Sequence, residues 1–184
     1  KHIPPARPAK AFLYGGRPGF PSFKRRSAED AYFCAFFIEK GGRKAAESRK
    51  TETMAEYVKV AVDAMGGDNA PGEIVKGAVE AVQAEKKIRV YLVGKQEQVE
   101  AELAKYEYPK DQVEVVNATQ KIEMAEPPVA AIKGKKDSSI VKGLQMVREG
   151  TCDAFVSAGS TGAVLVGGQV ILSRAKGVGR APLA

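Results

Sequence analysis

The sequence predicts an α/β protein over residues 54–184: a three-layer αβα arrangement around a mainly parallel sheet. Three observations carry that expectation. Short runs rich in β-branched residues alternate with stretches of helical period. Glycine-rich loops lead from a strand into the next helix. The charge that makes the whole chain basic is absent from this part.

Tyr57 to Ala64 (YVKVAVDA) alternates Val58, Val60 and Val62 with Lys59, Ala61 and Asp63, the period of a strand. Met65 to Pro71 (MGGDNAP) is a turn, in which Asp68 or Asn69 is placed to cap the next helix, with Pro71 in its first turn. Gly72 to Ala84 sets Val75, Val79 and Val82 on one helical face. Ile88 to Val93 (IRVYLV) is a second strand ended by Gly94, and Gln96 to Tyr106 a second helix with Val99, Leu103 and Tyr106 inward. Val113 to Val116 is a short third strand, and Asn117 to Pro128 a loop closed by two prolines. Val129 to Arg148 divides into two helices near Gly134, the second with Ile140, Leu144 and Val147 as its core face. Asp153 to Ser157 is a fourth strand, and Thr161 to Arg174 a largely apolar and therefore buried helix. Strands joined by helices at these intervals need crossover connections, so they lie parallel.

Residues 1–53 hold 12 basic and 5 acidic side chains, whereas residues 54–184 hold 17 of each. The basicity belongs to the leader, and a nucleic-acid role for the folded part loses its support. The leader carries Pro4, Pro5, Pro8, Pro18 and Pro21 among several glycines, and only Ala31 to Ile38 (AYFCAFFI) forms a short apolar run. Such composition buries too little to fold. With no methionine before Met54, the expectation is a disordered or spurious leader and a chain that starts at Met54. The longest apolar stretch, Ala163 to Leu172, is broken by Gly167, Gly168 and Gln169, short of the ~18 residues of a membrane span. A soluble, cytoplasmic protein is expected.

Two loops carry the chemistry, because ligands of parallel sheets sit at the carboxyl ends of strands. In the first, Asp63 through Pro71, Gly66 and Gly67 allow a sharp turn with exposed N–H groups. A tight capped turn explains the glycines equally well, but not two carboxylates, Asp63 and Asp68, at one strand end. In the second, Ser157-Ala158-Gly159-Ser160-Thr161-Gly162, three hydroxyls and two glycines at a helix start suit an anion, with Ser160 as a plain helix cap being the bland alternative. Neither a P-loop nor G-x-G-x-x-G is present. The sole histidine is His2, so residues 54–184 hold no Ser-His or Cys-His pair and no histidine metal ligand. No metal or cofactor is expected. Cys34 and Cys152 form no metal-binding spacing, and Cys152, preceding a strand, reads as a core thiol.

Val60 to Pro71 (VAVDAMGGDNAP), Lys135 to Leu144 (KKDSSIVKGL) and Asp153 to Ala163 (DAFVSAGSTGA) together resemble the bacterial phosphate acyltransferases of phospholipid synthesis. The resemblance covers nearly all of 54–184 and none of 1–53. It implies a fold like isocitrate and isopropylmalate dehydrogenases, related to phosphotransacetylase, and a chain cut short: Arg180 to Ala184 stops where another strand is expected, leaving this piece inactive. It implies transfer of a fatty acyl group from acyl carrier protein to inorganic phosphate, giving acyl phosphate, with no cofactor. An enzyme using coenzyme A thioesters and a non-catalytic phosphate- or nucleotide-binding module are the alternatives. The catalytic candidates are Asp63, Asp68, Asn69 and Ser160; the family commonly has Asn in place of Ser160, and many members have His in place of Asn69. Gly66, Gly67, Ser157, Gly159, Thr161 and Gly162 are the candidates for binding phosphate or acyl group. Lys133, Lys135, Lys136, Lys142 and Arg148 are candidates to meet an acidic carrier protein, or to form a solvated helix face. A homodimer when full length, and peripheral association with a membrane glycerol-3-phosphate acyltransferase, complete what the resemblance implies.

Overall fold

The structure is a computed structural model that describes residues Cys34–Phe36 and 57–173. Five strands form one sheet: β1 (Cys34–Phe36), β2 (Val58–Asp63), β3 (Ile88–Gly94), β4 (Val113–Asn117) and β5 (Ala154–Ser157). Their order is β1-β5-β2-β3-β4. The four strands β5, β2, β3 and β4 are parallel, and β1 runs antiparallel on the edge against β5, pairing Cys34 with Ser157. Three residues of the apolar run in the leader, Cys34–Phe36, thus form a strand. The rest of the leader, Met54, and Arg180 to Ala184 lie outside the described residues.

Helices α1 (Gly72–Ala84) and α2 (Gln96–Leu103) cover one face of the sheet. Val75, Val79, Val82 and Val99 pack there against Val90 and Leu92 of β3. Helices α3 (Pro128–Gly134), α4 (Ser139–Glu149) and α5 (Thr161–Gly167) cover the other face. There Ile132, Ile140, Leu144 and Val164 meet Ala61, Tyr91, Val93 and Phe155. Alternate residues of β3 therefore serve two cores, giving the three-layer αβα architecture expected, and each fully buried Val or Leu contributes about 1.5–3 kcal/mol.

Three local expectations are revised. Helix α1 is not capped by Asp68 or Asn69 through a side chain: Pro71 occupies the cap, and the main-chain carbonyls of Asn69 and Pro71 accept from Glu73 N and Val75 N. Helix α2 stops at Leu103, because Lys105 and Tyr106 N–H groups bond three residues back and tighten the chain into turns. The last helix is α-helical only to Gly167 and then widens into a π-helical segment, Gly168–Leu172. Its Val170 is 62% exposed, so the buried face ends earlier than the composition suggests. Arg174 lies outside the described residues.

Candidate functional site

The strand order sets the place of the site. From β2 the chain moves outward through α1, β3, α2 and β4, then returns through α3 and α4 to β5 on the other side of β2. Beyond the carboxyl ends of β2 and β5 the chain leaves toward opposite faces, into α1 and α5, which opens a crevice at the switch in strand order. The two glycine loops singled out from the sequence lie side by side in that crevice.

Asp63, the last residue of β2, is 1% exposed and ties the loops together. Its Oδ2 accepts a hydrogen bond from Ser157 Oγ at 2.8 Å, and its Oδ1 accepts from Met65 N at 3.1 Å. Ser157 Oγ in turn accepts from Gly159 N at 3.0 Å, so this hydroxyl is a strut between the loops. Burial pushes the Asp63 carboxyl above its usual range, while the hydroxyls of Ser139 and Ser157, the Met65 N–H and the charge of Lys121 pull it back. The loops touch so closely that a Cβ on Gly66 would lie 2.6 Å from Asp63 Oδ2 and 2.8 Å from Gly159 N. Gly67 has a φ of +91°, a left-handed conformation that side chains resist.

A cavity of about 180 Å³ opens beside this junction, lined by Gly67, Asp68, Lys121, Ile122, Glu123, Met124 and Gly159. Asp63 and Asp68 therefore part company: Asp63 is an internal anchor and Asp68 stands exposed on the lip. Asn69 is also exposed, on the turn beyond. Ser160 is buried and caps α5, accepting from Ala163 N at 3.4 Å. Thr161 is exposed at the first position of that helix, and Gly162 makes room for Pro128, whose Cγ would be 2.8 Å from a Cβ there. Lys121, which lines the cavity and pairs with Glu123 at 3.5 Å, was not among the residues singled out from the sequence. It sits in a loop without period, and its signal, a single cation, is indistinguishable there from solvated charge.

Comparison with known proteins bears on this region directly. A family profile described as "Fatty acid synthesis protein" matches residues 58–184, which is more than half the chain and includes both loops and Lys121. The chain belongs to the fatty acid synthesis protein family. Among its relatives, a protein of Clostridium beijerinckii named phosphate acyltransferase is 51% identical over 127 residues, covering 69% of this chain and 38% of that protein. Phosphate acyltransferases of Clostridium kluyveri and Alkaliphilus oremlandii are 49% and 48% identical, covering 68% and 69% of this chain and 37% and 38% of theirs. The chain thus spans well under half the length of these family members.

The basic residues of this family member divide by environment. Lys133, Lys136 and Arg148 are exposed. Lys135 Nζ, by contrast, donates to Glu126 Oε1 at 2.5 Å and to the Lys121 carbonyl at 2.7 Å. Lys142 Nζ pairs with Asp137 Oδ1 at 2.5 Å and donates to the Asn117 carbonyl at 2.6 Å. Lys142 and the Thr119 hydroxyl and N–H hold the Asp137 carboxyl far below the usual range. Cys152 is buried, and burial pushes its thiol up to about 12, a poor setting for a nucleophile. Among the described residues no helix is long and apolar enough to cross a membrane, and no cluster of three or more potential ligands is placed to hold a metal.

Proposed function

We propose that the two loops form the phosphate site of an acyltransferase, and that the full-length protein moves a fatty acyl group from acyl carrier protein to inorganic phosphate. The observation that carries this reading is the Asp63–Ser157 hydrogen bond, which fixes two glycine turns beside a cavity with Lys121 on its wall. Lys121 supplies a cation for the phosphate, and the opening N–H groups of α5 with the Thr161 hydroxyl supply donors and a favourable dipole. Asp68, on the lip, accepts a hydrogen bond from the protonated oxygen of phosphate, and Asn69 follows it on the exposed turn. Asp63, Ser157 and Ser160 act by holding this arrangement.

The chemistry asks little else of the protein. Phosphate is an anionic nucleophile at neutral pH. One of its oxygens forms a bond to the thioester carbonyl carbon, the C–S bond breaks, and sulfur leaves as thiolate and takes up a proton. The products are acyl phosphate and free carrier thiol. Rate then comes from orientation and from donors aimed at the transient oxyanion. Exposed Lys133 and Lys136 are the cations offered to an acidic carrier protein, and the full-length enzyme works in the cytoplasm as a homodimer, in peripheral association with a membrane acyltransferase.

Thr161→Ala in the full-length enzyme tests the phosphate site. Loss of a hydrogen bond to a charged ligand is worth about 1.5–3 kcal/mol, so apparent phosphate KM should rise roughly ten- to a hundredfold. Stability should change by no more than about 0.5 kcal/mol, since Ser160 rather than Thr161 makes the cap. Unchanged phosphate KM with a lowered Tm would make the loop a helix start and nothing more.

A further inference from the structure

The cavity wall that carries Lys121 belongs to no helix or strand, so its position must be set by contacts across the chain. The loop begins well fixed. Ala118 N bonds to the Gly94 carbonyl at 2.7 Å, Thr119 N to Asp137 Oδ2 at 2.9 Å, and Gln120 N to the Asp137 carbonyl at 3.2 Å. Beyond Gln120, Ile122 is buried in the core, and around it the chain closes on one ammonium group. Lys135 Nζ holds the carbonyl of Lys121 at one end and the carboxylate of Glu126 at the other. Glu126 Oε1 also accepts from Glu123 N at 2.8 Å, so residues 121–126 are looped onto a single charge pair.

We propose that Lys135 is a positioning residue: its ammonium latches the 121–126 loop and so fixes Lys121 and Glu123 on the wall of the phosphate cavity. This rests on the reading of that cavity given above. The latch differs from an ordinary surface ion pair, which contributes little, because the same ammonium also satisfies a main-chain carbonyl fourteen positions away. Both side chains are about two-thirds shielded, at 32% and 28% exposed. The Lys135 ammonium also holds Glu126 below the ordinary carboxylate range, as an ionised partner requires. With two of its three protons spent inside the chain, Lys135 is poorly suited to greet a carrier protein, and exposed Lys133 and Lys136 are better placed.

The test uses the full-length enzyme with Lys135→Met, Lys135→Arg, Glu126→Gln and, as a reference, Thr161→Ala, reading kcat, KM for phosphate, KM for the carrier thioester, and Tm. A catalytic group misplaced by an ångström costs up to ~100-fold, so a loosened wall should raise phosphate KM in Lys135→Met by about tenfold, with thioester KM little changed. Lys135→Arg, which donates to both acceptors, should restore most of that loss, and Glu126→Gln should fall between. If Lys135→Met leaves phosphate KM unchanged while Thr161→Ala raises it, the latch is wrong and the phosphate site stands. If neither moves it, the site itself is wrong and the latch falls with it. An effect confined to thioester KM makes Lys135 a carrier contact, and an arginine no better than methionine also overturns the proposal. Should Lys135→Met fail to fold, the other two decide: wild-type phosphate KM in Lys135→Arg with a raised value in Glu126→Gln supports the latch, and wild-type values in both contradict it.

Discussion

Gly66→Ala should damage the full-length enzyme more than any other added methyl at the site. Its Cβ would meet Asp63 Oδ2 at 2.6 Å and the backbone nitrogen of Gly159 at 2.8 Å. A flexible side chain could swing aside, but Gly159 N is backbone, and Asp63 is held by Ser157 and Met65. The two loops must therefore move apart. Overpacking of this kind costs about 1–3 kcal/mol of stability, and a displacement near one ångström at the reacting groups about a hundredfold in turnover. Tm and phosphate-dependent turnover measure the two effects. Gly77→Ala is the control: beyond its chain neighbours and the adjoining backbone of its own helix nothing lies within 4 Å of its Cβ, and in the middle of α1 it should stabilise by up to ~1 kcal/mol. Equal behaviour of the two variants would mean that the loops do not touch as described.

Asp63→Asn should be the next most costly change, despite its near-identical shape. The carboxylate accepts from both Ser157 Oγ and Met65 N, and an amide offers a single acceptor oxygen, so one buried donor faces an N–H group. That mismatch is worth about 1–3 kcal/mol. The pH dependence gives a sharper signature. Burial raises the folded-state pKa of Asp63, so the native protein keeps this proton at pH values where the unfolded chain, with a pKa of about 4, has lost it. Across that window the native state binds more protons, and stability from this group declines as pH rises from the unfolded value through the folded one. Activity that needs the ionised, doubly bonded carboxylate runs the other way, appearing only above the raised pKa. The acid limb of the turnover profile should lie above the ordinary carboxylate range and vanish in Asp63→Asn. A limb that persists in the variant belongs to another group.

Much of the fold was legible because it is written in local period. Val75, Val79 and Val82 fix α1 to the residues expected, and the strands follow runs in which each face meets a core. The glycine loops were legible for a related reason: a strand followed at once by a helix leaves few conformations for the residues between. What lay hidden is non-local. Ser157 reads as a free donor until Asp63, distant in the sequence by 94 positions, is seen to accept its hydrogen bond. Lys135 reads as one of a cluster of cations, and its role appears only when the chain folds Lys121 and Glu126 onto it. The expected cap on α1 failed because main-chain carbonyls took the helix N–H groups that Asp68 and Asn69 side chains were expected to hold. Hydrogen-bond partners of that sort follow from turn geometry, which composition does not specify.

The most direct measurement of the central claim is group transfer itself. The full-length protein carrying this sequence is incubated with isotopically labelled inorganic phosphate and a long-chain acyl thioester of acyl carrier protein. Label entering an organic-extractable acyl phosphate, in step with release of carrier thiol and strongly reduced by Thr161→Ala, is the predicted result. A parallel reaction with the coenzyme A thioester should be slower. Thiol release that proceeds without phosphate, or phosphate binding with no transfer from either donor, would contradict the account.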